Sequence, residues 1–246
     1  MSGHSKWANI KNKKAKTDAA KGKIFTKIGR EIAVAAKAGA DPNTNSKLAD
    51  VIAKAKAANM PNDNIKRSIL KATGELGNVN YDNLVYEGYG IGGSAVIVST
   101  LTENKNRTVG EVRHIFDKYG GSLGTSGSVS FMFTNCGVLV VERTVELDED
   151  TVMELALDAG ADDVITEDDV YEIRTAPSAF SGVRKYFEDR GYSFIEASIQ
   201  MVPNDKITLN ADQLVTFNKM LDAFEDNDDV QDVYHNVDLP EEDEEE

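Results

Sequence analysis

The chain has 246 residues, 41% of them hydrophobic, which is enough apolar material for two or three separate cores. No apolar run approaches the ~18 residues that span a bilayer. The longest, Ser94–Leu101 and Val138–Val141, are strand-sized, and the lysine-bearing N-terminus lacks the apolar stretch of a secretory signal. The single Cys136 excludes an intramolecular disulfide and a cysteine-only zinc site, so a reducing cytoplasm is the expected compartment, with no membrane contact. Charge is divided along the chain. Residues 1–80 hold 16 Lys/Arg against 6 Asp/Glu, a net of +10, and residues 81–246 hold 11 against 36, a net of −25; the two sum to the overall −15. A basic leading segment attracts phosphate polyanions by Coulomb attraction and counterion release, while the acidic remainder repels them.

In chain order, residues 1–20 form a basic arm. Between Lys21 and Lys37 the residues Ile24, Phe25, Ile28, Ile32 and Ala35 recur at helical spacing and cover roughly a third of the circumference. Lys23, Lys27, Arg30 and Lys37 fall on the other side, so one face is expected to meet a core and the other solvent or phosphate. Gly39 and Asp41-Pro42 stop this helix. A second helix spans Asn45–Asn59, with Leu48, Val51, Ile52 and Ala55 inward. After Pro61 a third follows, with Asn62 or Asp63 as cap and Ile65, Ile69 and Leu70 packing, and Gly74 ends it. Three short helices sharing an apolar side predict a small bundle over 21–76. Thr73–Asn83 reads as a linker.

Beyond it the periodicity changes. Ser94–Thr102 is expected as a buried strand and Arg107–Tyr119 as a helix with Val109, Val112, Ile115 and Phe116 on one side. Gly120–Ser128 is a glycine-rich loop and Val129–Phe133 a strand. The succession strand Val138–Glu142, helix Asp150–Ala159, strands Asp163–Ile165 and Val170–Thr175, helix Ser178–Arg190, strand Ser193–Met201 is βαββαβ, the ferredoxin-like order. Helix Ala211–Phe224 and strand Val230–Tyr234 have no fold of their own and are expected to complete the earlier sheet. The fold class is thus multi-domain, α and α+β: basic arm and three-helix bundle, an α+β domain over 81–134 plus 205–239, and a ferredoxin-like domain over 135–204 inserted in it. An acidic tail at 240–246 closes the chain.

Chemistry-bearing patterns are sparse. Gly88-x-Gly90-x-Gly92-Gly93 superficially matches a nucleotide loop, but a strand rather than a helix follows, so a strand-entry turn is expected. Asp162, Asp163, Glu167, Asp168 and Asp169 are the best case for Mg²⁺-assisted phosphodiester cleavage, against the plainer reading of a solvated acidic face without a neighbouring base. His4 has no partner at metal spacing, and Cys136 sits at a strand start as a core residue. Neither a catalytic residue, a metal site nor a cofactor is expected.

Binding is better marked. Lys6, Lys11, Lys13, Lys14, Lys16, Lys21, Lys23, Lys27 and Arg30 precede residue 31, with Asp18 the one anion among them. They are expected to contact phosphate, because the charge continues onto an amphipathic helix face. Lysine is a point charge without the planar fork of arginine, so backbone contact is favoured over base reading. Trp7 either stacks on an unpaired base or anchors the arm to the bundle. Arg107 and Arg113, with Asn104, Lys105 and Asn106, make a basic island in the acidic part. It is either a second nucleic-acid contact or a bridge to carboxylates between domains, with Asn106 or Thr108 as a helix cap.

The run Gly3-His4-Ser5-Lys6-Trp7-Ala8-Asn9-Ile10-Lys11 with Lys21-Gly22-Lys23-Ile24-Phe25-Thr26-Lys27 resembles the N-terminal signature of the YebC/PmpR family. Tyr86-Glu87-Gly88-Tyr89-Gly90, Asn106-Arg107-Thr108-Val109 with Glu111-Val112-Arg113-His114, Gly121-Ser122-Leu123-Gly124 with Gly127-Ser128-Val129, and Asp228-Asp229-Val230-Gln231 with Val233-Tyr234-His235-Asn236 are similar to its later blocks. The resemblance covers essentially the whole chain. It implies a helical domain followed by two α+β domains, the third inserted in the second. It also implies a cytoplasmic, non-enzymatic, DNA-binding transcriptional regulator. Mitochondrial relatives are described as translational activators and some bacterial ones as ribosome factors, which makes ribosomal RNA the alternative target. The start at the signature, without a presequence, is expected of a bacterial member.

Overall fold

The computed structural model describes residues 18–74, 80–144 and 147–240. Helices α1 (Asp18–Ala36), α2 (Ser46–Ala57) and α3 (Asn62–Ala72) come first. Their apolar stripes meet as expected: Ile28, Ile32 and Ala36 of α1, Leu48 and Ala55 of α2 and Ile65 of α3 are buried together with Met60. Ile24, expected in this core, is instead 43% exposed and borders a cleft shared with Ala57 and Phe194. Asn45 fastens the first corner. Its Oδ1 accepts the Leu48 N–H at 3.1 Å, and its Nδ2 donates to the carbonyls of Ala35 (2.8 Å) and Gly39 (2.7 Å). One side chain thus satisfies orphan groups at the end of α1 and the start of α2. The α3 cap is Pro61 with no side-chain bond, because Asn62 and Asp63 already lie inside the first turn.

The first sheet contains β1 (Asp82–Tyr89), β2 (Ala95–Thr102), β3 (Ser122–Leu123) and β8 (Val230–His235), antiparallel in the order β3-β1-β2-β8. Helices α4 (Lys105–Lys118) and α7 (Ala211–Asp226) cover one face, where Val96 and Val98 pack against Phe116, Phe217, Met220 and Phe224. Ala95 and Ile97 point the other way, onto Val129 and Phe133. Both faces of β2 are therefore buried, which is why it reads as a continuous apolar run. Strand β1 was legible only as a linker end and a glycine turn. Gly88 is needed there: a Cβ would lie 2.6 Å from the Ser122 carbonyl oxygen and 2.9 Å from the Phe116 ring.

The second sheet holds β4 (Phe133–Glu142), β5 (Asp163–Thr166), β6 (Val170–Thr175) and β7 (Glu196–Pro203), antiparallel in the order β5-β6-β4-β7. Helix α5 (Glu149–Ala159) joins β4 to β5, and α6 (Phe180–Glu188) joins β6 to β7. Leu139, Val141, Tyr171 and Ile173 pack beneath Val152, Ala156, Val183 and Phe187 of those helices. The expected strand Val129–Phe133 is a 3₁₀ turn at Ser130–Met132, after which β4 runs unbroken to Glu142. Gly137 pairs with both Thr175 and Ile199, so backbone pairing carries the strand through the weakly apolar Asn135-Cys136-Gly137. Phe133 shares a cluster with Ala95 and Ile97, with Met201 of β7 packed against it, so one strand ties the two sheets together. After β7 the chain returns, and β8 pairs with β2.

Candidate nucleic-acid interface and the seam behind it

Lys6, Trp7, Lys11, Lys13, Lys14 and Lys16 lie outside the described residues. Lys21 is exposed near the start of α1. The next three cations meet carboxylates and carbonyls of the same chain. Lys23 Nζ is 2.7 Å from Asp226 Oδ1, and Lys27 Nζ donates to the Glu225 carbonyl at 2.9 Å. Arg30 Nη1 lies 2.8 Å from Asp229 Oδ1, 2.6 Å from the Asp228 carbonyl and 3.0 Å from the Leu101 carbonyl. The Arg30 guanidinium also sits 5.5 Å from the centre of the Tyr81 ring. The spacing of i, i+4 and i+7 that put these cations on one face of α1 thus aligns them with the end of α7 and the turn into β8.

Asp229, which sequence reasoning did not single out as a site, is the centre of this seam. Only 2% of it is exposed. Arg107 Nη2 reaches its Oδ2 at 2.6 Å, and the hydroxyls of Thr108 and Thr102 approach the same oxygen at 2.9 and 3.1 Å. Burial pushes the carboxyl pKa up, but the bonds from Arg107, Thr108, Arg30 and Thr102 outweigh it and hold it below the ordinary aspartate value. Arg107 therefore takes the carboxylate-bridging role. Thr108 belongs to this network too, and the cap of α4 is Asn104, whose side chain accepts the Arg107 N–H. Arg113 is exposed and makes no ion pair among the described residues.

A second seam joins α2 to α6. The Ser181 hydroxyl donates to Asp50 at 2.6 Å, and Arg184 approaches the same carboxylate through Nε at 3.1 Å and Nη2 at 2.9 Å. Arg184 Nη1 also holds Glu188 at 2.6 Å. Between the seams Lys54 bonds both oxygens of Glu31, at 2.9 and 3.0 Å. Burial works against the Lys54 charge, but Asp232, Glu31 and Glu196 together raise its pKa.

The glycine-rich loop is pinned rather than loose. Glu87 of β1, 6% exposed, accepts the backbone N–H groups of Gly127 (2.8 Å), Val129 (2.9 Å) and Ser130 (2.8 Å). Burial raises the Glu87 pKa, and those three amides overcome it and lower the value. Both Asp229 and Glu87 fall inside the motif blocks that carry the family resemblance. For Glu87 a lone acid among apolar and glycine neighbours, Leu84-Val85-Tyr86-Glu87-Gly88, is the available signal, whereas Asp229 is masked by the acidic run Glu225–Asp229.

The carboxylates weighed for Mg²⁺ are dispersed by the β5–β6 hairpin. Asp163 pairs with Arg174 at one end, while Glu167–Asp169 form the turn beyond Thr166↔Tyr171 at the other, about 10 Å along the strand. Among the described residues no group of three His, Cys, Asp or Glu side chains is arranged to hold a metal ion, and no helix is long and apolar enough to cross a membrane.

An α+β molecule with two four-stranded antiparallel sheets and a helical unit docked by carboxylate seams has counterparts among known proteins. Residues 5–75 match the model of the TACO1/YebC protein N-terminal domain, and residues 81–237 that of the TACO1/YebC second and third domain. The chain belongs to the TACO1/YebC family. A probable transcriptional regulatory protein of Acetivibrio thermocellus is 60% identical over 238 residues, covering 96% of this chain and 98% of that protein. One of the same description from Caldicellulosiruptor saccharolyticus is 56% identical over 237 residues, covering 96% and 98%. The crystal structure of the conserved hypothetical protein Aq1575 from Aquifex aeolicus superposes with a TM-score of 0.82 at 40% identity, over 94% of this chain and 96% of that one.

Proposed function

We propose that this protein is a non-enzymatic nucleic-acid-binding regulator of the cytoplasm that grips phosphates with its basic N-terminal arm and helical bundle, and that its target is DNA in transcriptional control. The observation that carries this is the charge division, +10 over residues 1–80 and −25 over the rest. The relatives described as probable transcriptional regulatory proteins support a regulatory role. The contacts of Lys23, Lys27 and Arg30 with Glu225–Asp229 shift the expected phosphate contacts toward Lys6, Lys11, Lys13, Lys14 and Lys16. Trp7, in the same arm, supplies a ring for stacking or anchoring. Arg113, exposed on α4, is a further contact, whereas Arg107 serves the seam. We read the body as a helical bundle (21–76), an α+β domain (81–134 with 205–239) and a ferredoxin-like domain (135–204) inserted in it. The return of β8 to the sheet of β2 and the strand order β5-β6-β4-β7 support that division.

The lysine-rich, arginine-poor arm also suits ribosomal RNA, because point charges track a backbone without reading bases. Cross-linking in living cells followed by sequencing of the bound nucleic acid separates the two. Enrichment of promoter DNA supports transcriptional control. Enrichment of ribosomal RNA without promoter DNA transfers the role to translation, and enrichment of neither overturns nucleic-acid binding.

A further inference from the structure

With the basic face of α1 occupied by Asp226, Glu225 and Asp229, the bundle has a different cationic surface left over. Helix α3 carries Lys66, Arg67 and Lys71, all exposed, and Lys56 stands exposed in the last turn of α2. Among the described residues none of these four side chains makes an ion pair or hydrogen bond, whereas Lys23, Lys27, Arg30, Lys54 and Arg184 all do. At about 100° per residue, Lys66, Arg67 and Lys71 span an arc of about 140° opposite Ile65 and Ile69, over about 7.5 Å of helix axis. Ile65 is buried in the bundle core with Ile69 packed against it, so the cations face outward because the apolar stripe faces in. The one acid on this helix is Asp63, in its first turn, where it offsets the helix dipole.

Resting on the proposed function, we infer that the outer face of α3 is a second phosphate-contact surface for the nucleic-acid backbone, distinct from the arm. Long lysine stems and one guanidinium suit phosphate oxygens, and Arg67 supplies a planar fork for a two-point contact. Three cations on one exposed helix face repel one another, and a polyphosphate relieves that repulsion by neutralising them. No exposed carboxylate of the acidic domains is paired with this face among the described residues, so a ligand does not have to displace one.

The test is the salt dependence of full-chain binding to a random-sequence duplex between 50 and 200 mM monovalent salt. Each phosphate contact contributes ~0.9 to the log–log slope, so Lys66→Ala/Arg67→Ala/Lys71→Ala is expected to lower it by up to ~2.7. That corresponds to on the order of 40-fold less affinity lost across that salt range. The pair Lys66→Arg/Lys71→Arg, which keeps the charge, is expected to retain the parental slope. Unchanged melting and circular dichroism of both variants would show that the fold is intact. A parental slope that is steep and unaltered in the triple variant overturns this surface while leaving the arm proposal standing. A parent whose binding does not depend on salt overturns the nucleic-acid reading beneath it.

Discussion

At Asp229 one buried carboxylate is held by two arginines from distant parts of the chain, Arg30 of the bundle and Arg107 of α4. Removing one partner of a buried charge pair leaves the other uncompensated, at a cost of about 3–5 kcal/mol. Asp229→Ala removes the buried member instead: Arg107, half exposed, turns to water, while Arg30 and the Thr102 and Thr108 hydroxyls lose their acceptor, so a cost of about 1–3 kcal/mol is expected in urea melts. Lys23→Ala, whose pair with Asp226 is largely solvent-exposed, is expected to cost under ~1 kcal/mol. The pKa of Asp229 is lower folded than unfolded, so it contributes stability above the ordinary aspartate pKa of about 3.9. That contribution is lost as pH falls through the lower, folded value, and Asp229→Asn is expected to flatten the acid limb of stability against pH. An acid limb identical to the parent's would contradict this. Glu87→Gln replaces a carboxylate that accepts three backbone amides by a group with one acceptor oxygen. The expected cost is about 1–3 kcal/mol, with faster amide exchange at Gly127, Val129 and Ser130, and unchanged exchange there would show that Glu87 does not pin the loop.

At the scale of elements, the amphipathic pattern of α1 was plain from Ile28 and Ile32 at helical spacing, but what its basic face meets was not. Phosphate and carboxylate attract a row of lysines equally, and the carboxylates concerned lie about 200 residues away in sequence. Strand β2 was legible because both its faces are apolar. Strand β1 was not, because its exposed positions alternate with half-buried ones and Gly88 weakens the pattern. The alternation of Val129, Phe131 and Phe133 reads as strand, yet Ser130–Met132 is a 3₁₀ turn before β4. In the fold Val129 and Phe133 are buried, while Phe131 is 71% exposed. The phosphate-facing candidates were legible as charge, yet charge alone did not separate Arg107, committed to Asp229, from Arg113.

For the whole molecule, helices α1–α3 are tied to the rest of the chain by the Arg30–Asp229 and Arg184–Asp50 seams. Both are shielded from solvent, so salt screens them less than exposed pairs. Charge reversal at both, Arg30→Glu with Arg184→Glu, is expected to release the bundle and enlarge the radius of gyration in small-angle X-ray scattering, with helical circular dichroism retained. An unchanged radius would show that the seams do not hold the domains together.

Function depends on the cationic leading end docking onto a sugar–phosphate polymer. The most direct measurement is the salt dependence of duplex binding by the full chain and by Lys11→Ala/Lys13→Ala/Lys14→Ala/Lys16→Ala. Four lost phosphate contacts are expected to reduce the log–log slope by up to ~3.6, and a slope equal to the parent's would contradict the account.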